Sequence, residues 1–160
     1  CALPILKNLN ILDNIVFPSL RDHRKNAGQL MERAKELMER TGISQLEKRK
    51  VTQVSGGQLQ RAGICRALMN QPEIVFGDEP TGALNSRASA EIMDLFSEIN
   101  EQGTAVMLVT HDAAIAARTR RVLFLSDGRV AGELRLPRNS VLSHAAKMDK
   151  VLEKMRLLEI

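Results

Sequence analysis

The 160-residue chain has no tryptophan and no tyrosine, and four phenylalanines, Phe17, Phe76, Phe96 and Phe124, are its only aromatic residues. Single-stranded nucleic acid is held largely by bases stacked on aromatic rings. With so few rings, the net charge of +4 reads as a solvated surface, and no nucleic-acid partner is expected. Cysteine is equally scarce. Cys1 and Cys65 offer neither metal-ligand spacing nor a disulfide framework. Cys65 falls in an apolar helical run and is expected to pack as a small hydrophobe. The sequence shows no signal peptide, and no apolar stretch approaches the roughly 18 residues of a membrane span, so a reducing, cytosolic setting is the default expectation. What is abundant is ordinary: 44% apolar and 26% charged residues, enough for one domain with a real core.

Residues 10–17 predict a short helix stopped by Pro18, and residues 21–26 a polar loop in which His23 has no ligand-type neighbour. Leu30, Met31, Ala34, Leu37 and Met38 recur at helical spacing between Ala27 and Arg40, with Thr41-Gly42 as the stop. A charged connector over 45–53 leads to a helix over 56–70. Glu73–Gly77 and Thr104–Thr110 are short, continuous apolar runs of the kind that form buried parallel strands. Between them Ser86 is expected to cap a helix ending near Glu101. A short helix over 113–118 and a hairpin, Val122–Leu125 and Arg129–Leu134 around Ser126-Asp127-Gly128, follow. Ser140 is expected to cap a last amphipathic helix carrying Val141, Ala145, Met148, Leu152 and Met155. The alternation gives an α/β fold with a largely parallel sheet, in which ligands sit beyond the carboxyl ends of the strands.

Three places carry chemistry. Ser55-Gly56-Gly57-Gln58 opens a helix, where unpaired N–H groups and the helix dipole suit a phosphate, and two residues without side chains let it approach the backbone. Ser55 could add a hydroxyl and Gln58 an amide; equally, Ser55 could be a plain N-cap beside a glycine hinge. Asp78-Glu79 ends the first apolar run. On a strand the two would point to opposite sides, one towards a Mg²⁺ ion and the other towards a water, unless the strand end simply emerges into solvent. His111, just past the second run, could orient a phosphate or be structural.

Together and in order, S-G-G-Q-L-Q-R, I-V-F-G-D-E-P-T-G-A-L-N and V-M-L-V-T-H-D resemble the ATP-binding subunit of ABC transporters, with a pattern reaching from the helices before Val54 to about Leu134. The resemblance implies a P-loop NTPase (RecA-like) parallel sheet flanked by helices, with a helical subdomain. It implies residues 1–53 as the subdomain docking on membrane-spanning subunits, 54–135 as the later part of the ATPase core, and 136–160 as a C-terminal amphipathic helix. Ser55, Gly56, Gly57 and Gln58 become the signature motif, Asp78 the Mg²⁺ residue, Glu79 the general base, Ala83–Ser86 the D-loop with Asn85 in its site, and His111 the switch histidine. ATP and Mg²⁺ are the implied ligands. A second nucleotide-binding domain, paired head to tail, and permease subunits are the implied partners, holding the chain at the inner face of the plasma membrane.

The sequence departs from the family pattern in three ways. None of the ten glycines is followed by lysine, so no G-x-x-x-x-G-K-[ST] phosphate loop is present; no glutamine-bearing loop precedes the first helices; and Asn85 replaces the usual aspartate. With Cys1 in first place, the first two imply that the phosphate-loop strand is missing and that the chain alone is inactive. The subfamily hint, D-E-P-T-G-A-L-N after L-N-I-L-D-N-I, resembles transporters of lipoprotein release, macrolide export and peptide resistance, with A-L-N leaning to the last. The same module occurs in ribosome-associated and DNA-repair ATPases. Thr81-Gly82-Ala83-Leu84 and the lack of a long heptad run before Ser55 favour the transporter.

Overall fold

The computed structural model describes residues 6–21, 26–137 and 142–159. The chain divides into two compact units, Cys1–Val109 and Thr110–Ile160. The expected boundary after residue 53 lies inside the first unit and that after residue 135 inside the second.

In the first unit, α1 (Ile11–Val16), α2 (Ala27–Arg40), α3 (Gly56–Leu68) and α4 (Ser86–Glu101) surround a shared core, with α1 against α2 and α3, and α3 against α4. Ile11, Ile15, Leu30, Leu37, Met38, Met69, Ile92 and Ile99 are almost fully buried there. Pro18 does not end the chain's coiling: α1 passes into a 3-10 turn, Phe17–Arg21, because a proline early in a turn lacks only an N–H that would be unpaired anyway. The Asn26 side chain caps α2 and Gln29 returns the bond. At the other end Gly42 takes φ 69°, letting Ile43 N–H reach Met38 O (2.8 Å) and Gly42 N–H reach Glu39 O (3.0 Å). This reverse turn suits glycine and buries Ile43 under the helix it has just left. The 45–53 connector is less irregular than its charge suggests, with 3-10 turns at Ser44–Leu46 and Val51–Gln53 and a bridge from Lys50 back to Asn10.

Strands β1 (Ile74–Asp78) and β2 (Ala105–Val109) pair in parallel, Ile74 opposite Ala105 through Asp78 opposite Val109. The parallel pairing matches the sequence; the burial does not. Val75 faces inward, and α4 packs on β2, but Ile74, Phe76, Met107 and Val109 are 43%, 56%, 44% and 50% exposed. Their face is uncovered among the described residues, so only half of the apolar run is buried, an aggregation liability.

Cys65 is buried on α3, as expected for a small hydrophobe. The Thr41 hydroxyl donates to Leu37 O (2.9 Å) and lies 3.1 Å from Cys65 Sγ, a contact in which either atom can be the donor. Burial, opposed in part by that bond, lifts the thiol pKa from 9.0 to about 11. The native state thus keeps a proton that the unfolded chain loses first. Its stabilisation is complete below pH 9 and is lost as pH rises towards 11, on the order of 2–3 kcal/mol. Denaturation midpoints measured across that range should fall more steeply for the wild type than for Cys65→Ala, and thiol reagents at neutral pH should label Cys65 only on unfolding. Cys1 lies outside the described residues.

In the second unit, the hairpin β3 (Arg121–Ser126) and β4 (Arg129–Arg135) packs Phe124 and Leu136 with Ala117 and with Val151 of α6 (His144–Leu157). Asp127 (φ 50°) and Gly128 (φ 73°) make the tight turn, the backbone twist that a two-residue hairpin needs. Glu133 accepts from Arg121 (3.0 Å) and Arg135 (2.8 Å), which hold its carboxyl below the usual range. The short α5 (Ala113–Ala116) packs on α6. Ser143 caps α6 by accepting from Ala146 N–H; Ser140, Val141 and His23 lie outside the described residues.

Candidate functional site

Ser55 is the N-cap of α3 and forms a reciprocal box with Gln58: Ser55 Oγ accepts Gln58 N–H (3.3 Å) and Gln58 Oε1 accepts Ser55 N–H (2.9 Å). The plain capping role is therefore real, and it leaves much unused. Gly56 and Gly57 supply the first two N–H groups of the helix, which have no intrahelical partner. The Ser55 hydroxyl proton and the Gln58 NH₂ remain as further donors, and Ser55 and Gly56 are exposed. Four donor groups thus gather in one turn, at the positive end of a helix 13 residues long.

The glycines themselves are not demanded by this chain. Neither has a positive φ, and a Cβ on Gly56 would meet nothing closer than Leu84 Cδ2 at 3.6 Å, nor one on Gly57 anything closer than Ala88 Cβ at 3.7 Å. Alanine would fit at both positions, and in the first turn its gain over glycine is a fraction of the roughly 1 kcal/mol that separates the two in a helix interior. A Cβ at either position would lie in ordinary contact with Leu84 or Ala88 of the same unit.

Asp78 closes β1 and is exposed. Glu79 lies beyond the strand, not on it: its φ is 43°, its N–H reaches Val109 O at 2.9 Å, and its carbonyl accepts Gly82 N–H at 3.2 Å. Strand pleating therefore does not separate the two carboxylates; a left-handed turn does. Such a conformation is unusual for a non-glycine residue, and more so before Pro80, so the surrounding bonds must hold it. Glu79 is half-buried above buried Pro80 and Thr81, with its carboxylate towards Gly82.

Asn85, not Ser86, caps α4: its side-chain oxygen accepts Ala88 N–H at 2.9 Å, and Ser86 is the first helical residue. Asparagine and aspartate cap equally well, so the departure from the family residue costs the helix nothing. Asn85→Ala should lower stability by about 1 kcal/mol in chemical denaturation, and Asn85→Asp should leave it unchanged. Leu84 and Ala88 lie against the glycine pair, so the Ala83–Ser86 loop and the Ser55 turn touch within one unit.

His111 is the second residue of the second unit, exposed on a turn fixed by Asp112 N–H to Thr110 Oγ1 (3.1 Å) and by the Asp112 carboxylate, which accepts Ala114 N–H (2.7 Å). Its link to the acidic pair is one of chain order, two residues after the Val109 that holds Glu79. The described residues contain no cluster of three His, Cys, Asp or Glu able to form an all-protein metal cage. A single exposed strand-end carboxylate such as Asp78 instead fits Mg²⁺, which keeps most of its waters and shares phosphate oxygens. Sequence reasoning passed over Arg61, which reaches both Thr41 O and Glu91; its place in S-G-G-Q-L-Q-R was the available signal.

A family model described as ABC transporter matches residues 4–82. The macrolide export ATP-binding/permease protein MacB of Pasteurella multocida is 36% identical over 154 residues, 96% of this chain and 24% of that protein. The lipoprotein-releasing system ATP-binding protein LolD of Aquifex aeolicus is 39% identical over 130 residues, 81% of this chain and 58% of LolD. The chain thus spans less than two thirds of either relative's length. Among solved structures, a dimeric, post-hydrolysis ATP-binding cassette bound to ADP and Pi superposes with a TM-score of 0.73 at 35% identity, over 83% of this chain and 59% of the other. The ADP conformation of another ABC transporter cassette gives a TM-score of 0.80 over 96% of this chain and 63% of the other, at 21% identity, a likeness of fold alone. With the P-loop NTPase fold of these cassettes and the ordered motifs on its turns and strand ends, the chain belongs to the ABC transporter family, as a chain of its ATP-binding domain.

Proposed function

We propose that the chain acts in ATP binding and hydrolysis as part of the nucleotide-binding subunit of an ABC transporter, powering movement of a solute across a membrane. The observation that carries this reading is the Ser55–Gln58 turn, where four donor groups gather at two glycines that neither a positive φ nor a steric clash requires. A γ-phosphate fits such a turn, and it would be delivered by a second copy of the domain facing head to tail. Glu79 then aligns and deprotonates the attacking water, and Ser55, Gly56, Gly57 and Gln58 donate to the phosphate. His111 holds a phosphate oxygen. Asp78 is the residue that would hold Mg²⁺, which when bound neutralises phosphate charge.

In this reading residues 1–53 dock on permease subunits, 54–135 belong to the ATPase core, and 136–160 form the C-terminal helix. The protein would work at the inner face of the plasma membrane, held there by the permease. No helix among the described residues is long and apolar enough to cross a membrane itself. Relatives named for macrolide export and lipoprotein release favour an exporting or extracting machine.

Because no glycine in the sequence is followed by lysine, the 160-residue chain carries no phosphate loop of the G-x-x-x-x-G-K-[ST] type. By itself it should neither bind MgATP in the micromolar range nor hydrolyse it. Fused behind a segment bearing that loop, it should do both, read by calorimetry and phosphate release. Saturable micromolar binding by the unfused chain, or a folded fusion without turnover, would contradict the proposal.

A further inference from the structure

We propose that Arg61 is a positioning residue for the Ser55–Gln58 turn, its guanidinium fork tying the carboxyl end of α2 to α4 and fixing the turn against the Ala83–Ser86 loop. Arg61 lies one helical turn beyond Gln58. Its Nη1 donates to Thr41 O at 2.8 Å and its Nη2 to Glu91 Oε2 at 2.7 Å, and its side chain is only 22% exposed. The Thr41 carbonyl sits at the end of α2, where helix carbonyls lack intrahelical donors. Glu91 stands on α4, six residues beyond the Asn85 cap. The fork therefore joins three helices at one point, while Leu84 and Ala88 against the glycine pair supply a second contact between α3 and α4. Two points of attachment set the direction of the α3 amino end; one would leave it free to pivot.

Charge alone cannot do this. A guanidinium presents donors in a rigid, planar fork that meets two acceptors on different helices, whereas the lysine ammonium is a point charge on a flexible stem. Arg87 also reaches Glu91, through its other oxygen at 3.3 Å, but its side chain is 92% exposed. It serves as the control, since exposed pairs of this kind contribute little.

The benefit of a rigid turn to a γ-phosphate depends on the function proposed above, so the test uses the 160-residue chain without nucleotide and succeeds or fails separately. Amide hydrogen exchange is followed at Gln58 and Leu59, whose N–H groups close the turn on Ser55. Arg61→Lys and Arg61→Ala should each raise exchange there about tenfold, with Phe96 and Ile99 in the α4 core unchanged. Arg87→Ala should leave all four amides as they are. If Arg61→Ala does not fold, Arg61→Lys carries the test together with Glu91→Gln, which keeps a neutral acceptor and should raise exchange at the same two amides about threefold. The proposal is overturned if Arg61→Lys exchanges like the wild type, if Arg87→Ala matches it, if Glu91→Gln has no effect, or if the rise extends equally to Phe96 and Ile99.

Discussion

Replacing Glu79 by glutamine in the phosphate-loop fusion should lower ATP hydrolysis by about 10²- to 10⁴-fold while leaving the fold and ATP-dependent pairing intact. The expectation follows from how Glu79 is held. Its left-handed backbone is bonded from its own N–H to Val109 O and from Gly82 N–H to its carbonyl, and glutamine keeps both bonds. Glutamine has nearly the same shape and keeps the same place beside Gly82. What it loses is the ability to take a proton from water, the step assigned to this side chain. Phosphate release under saturating MgATP reads the rate, and circular dichroism reads the fold. Turnover within a few fold of the wild type would remove Glu79 from the base role and leave Asp78 as the alternative carboxylate.

The second large effect has opposite signs for stability and for function. Changing Gly56 and Gly57 together to alanine should raise the unfolding free energy by up to about 1 kcal/mol, because both residues are helical and neither new methyl meets an atom closer than 3.6 Å. The same change should weaken ATP-dependent pairing by about 10- to 100-fold, the size of one charge-assisted bond, because the closest approach of a phosphate to the two N–H groups needs residues without side chains. Most substitutions that impair a protein also destabilise it. A more stable, non-pairing variant would therefore locate the requirement for glycine outside the chain. A destabilised variant would mean that the glycines serve the fold, and that the turn is only a helix cap.

Much of this was legible in the sequence because the signals were local. The bounds of α2 follow from apolar spacing and from Thr41-Gly42, and the hairpin turn from Asp127-Gly128. The strands were recognisable as apolar runs ending in Asp78 and before His111. What the sequence concealed depends on packing between distant residues. Apolar runs predict burial on both faces, yet Phe76 and Met107 stand exposed, since a run cannot say whether a cover lies over it. Alternation predicts opposed carboxylates, yet a positive φ at Glu79 replaces the pleat, against the preference of a residue before proline. Ser86 looked like the cap because serine caps well, but Asn85 caps better placed, one residue earlier. The Arg61 fork joins residues 20 and 30 positions away, beyond the reach of any local pattern.

The direct test of the central claim, that the Ser55–Gln58 turn is one wall of a nucleotide pocket completed by a second copy, is the mass of the Glu79→Gln fusion in sedimentation equilibrium with and without MgATP. Slow hydrolysis keeps the nucleotide in place long enough to measure. A monomer that doubles in mass only with MgATP, and fails to do so once Gly56 and Gly57 are alanine, is the predicted result. A mass indifferent to MgATP, or a doubling that survives the alanines, would contradict it.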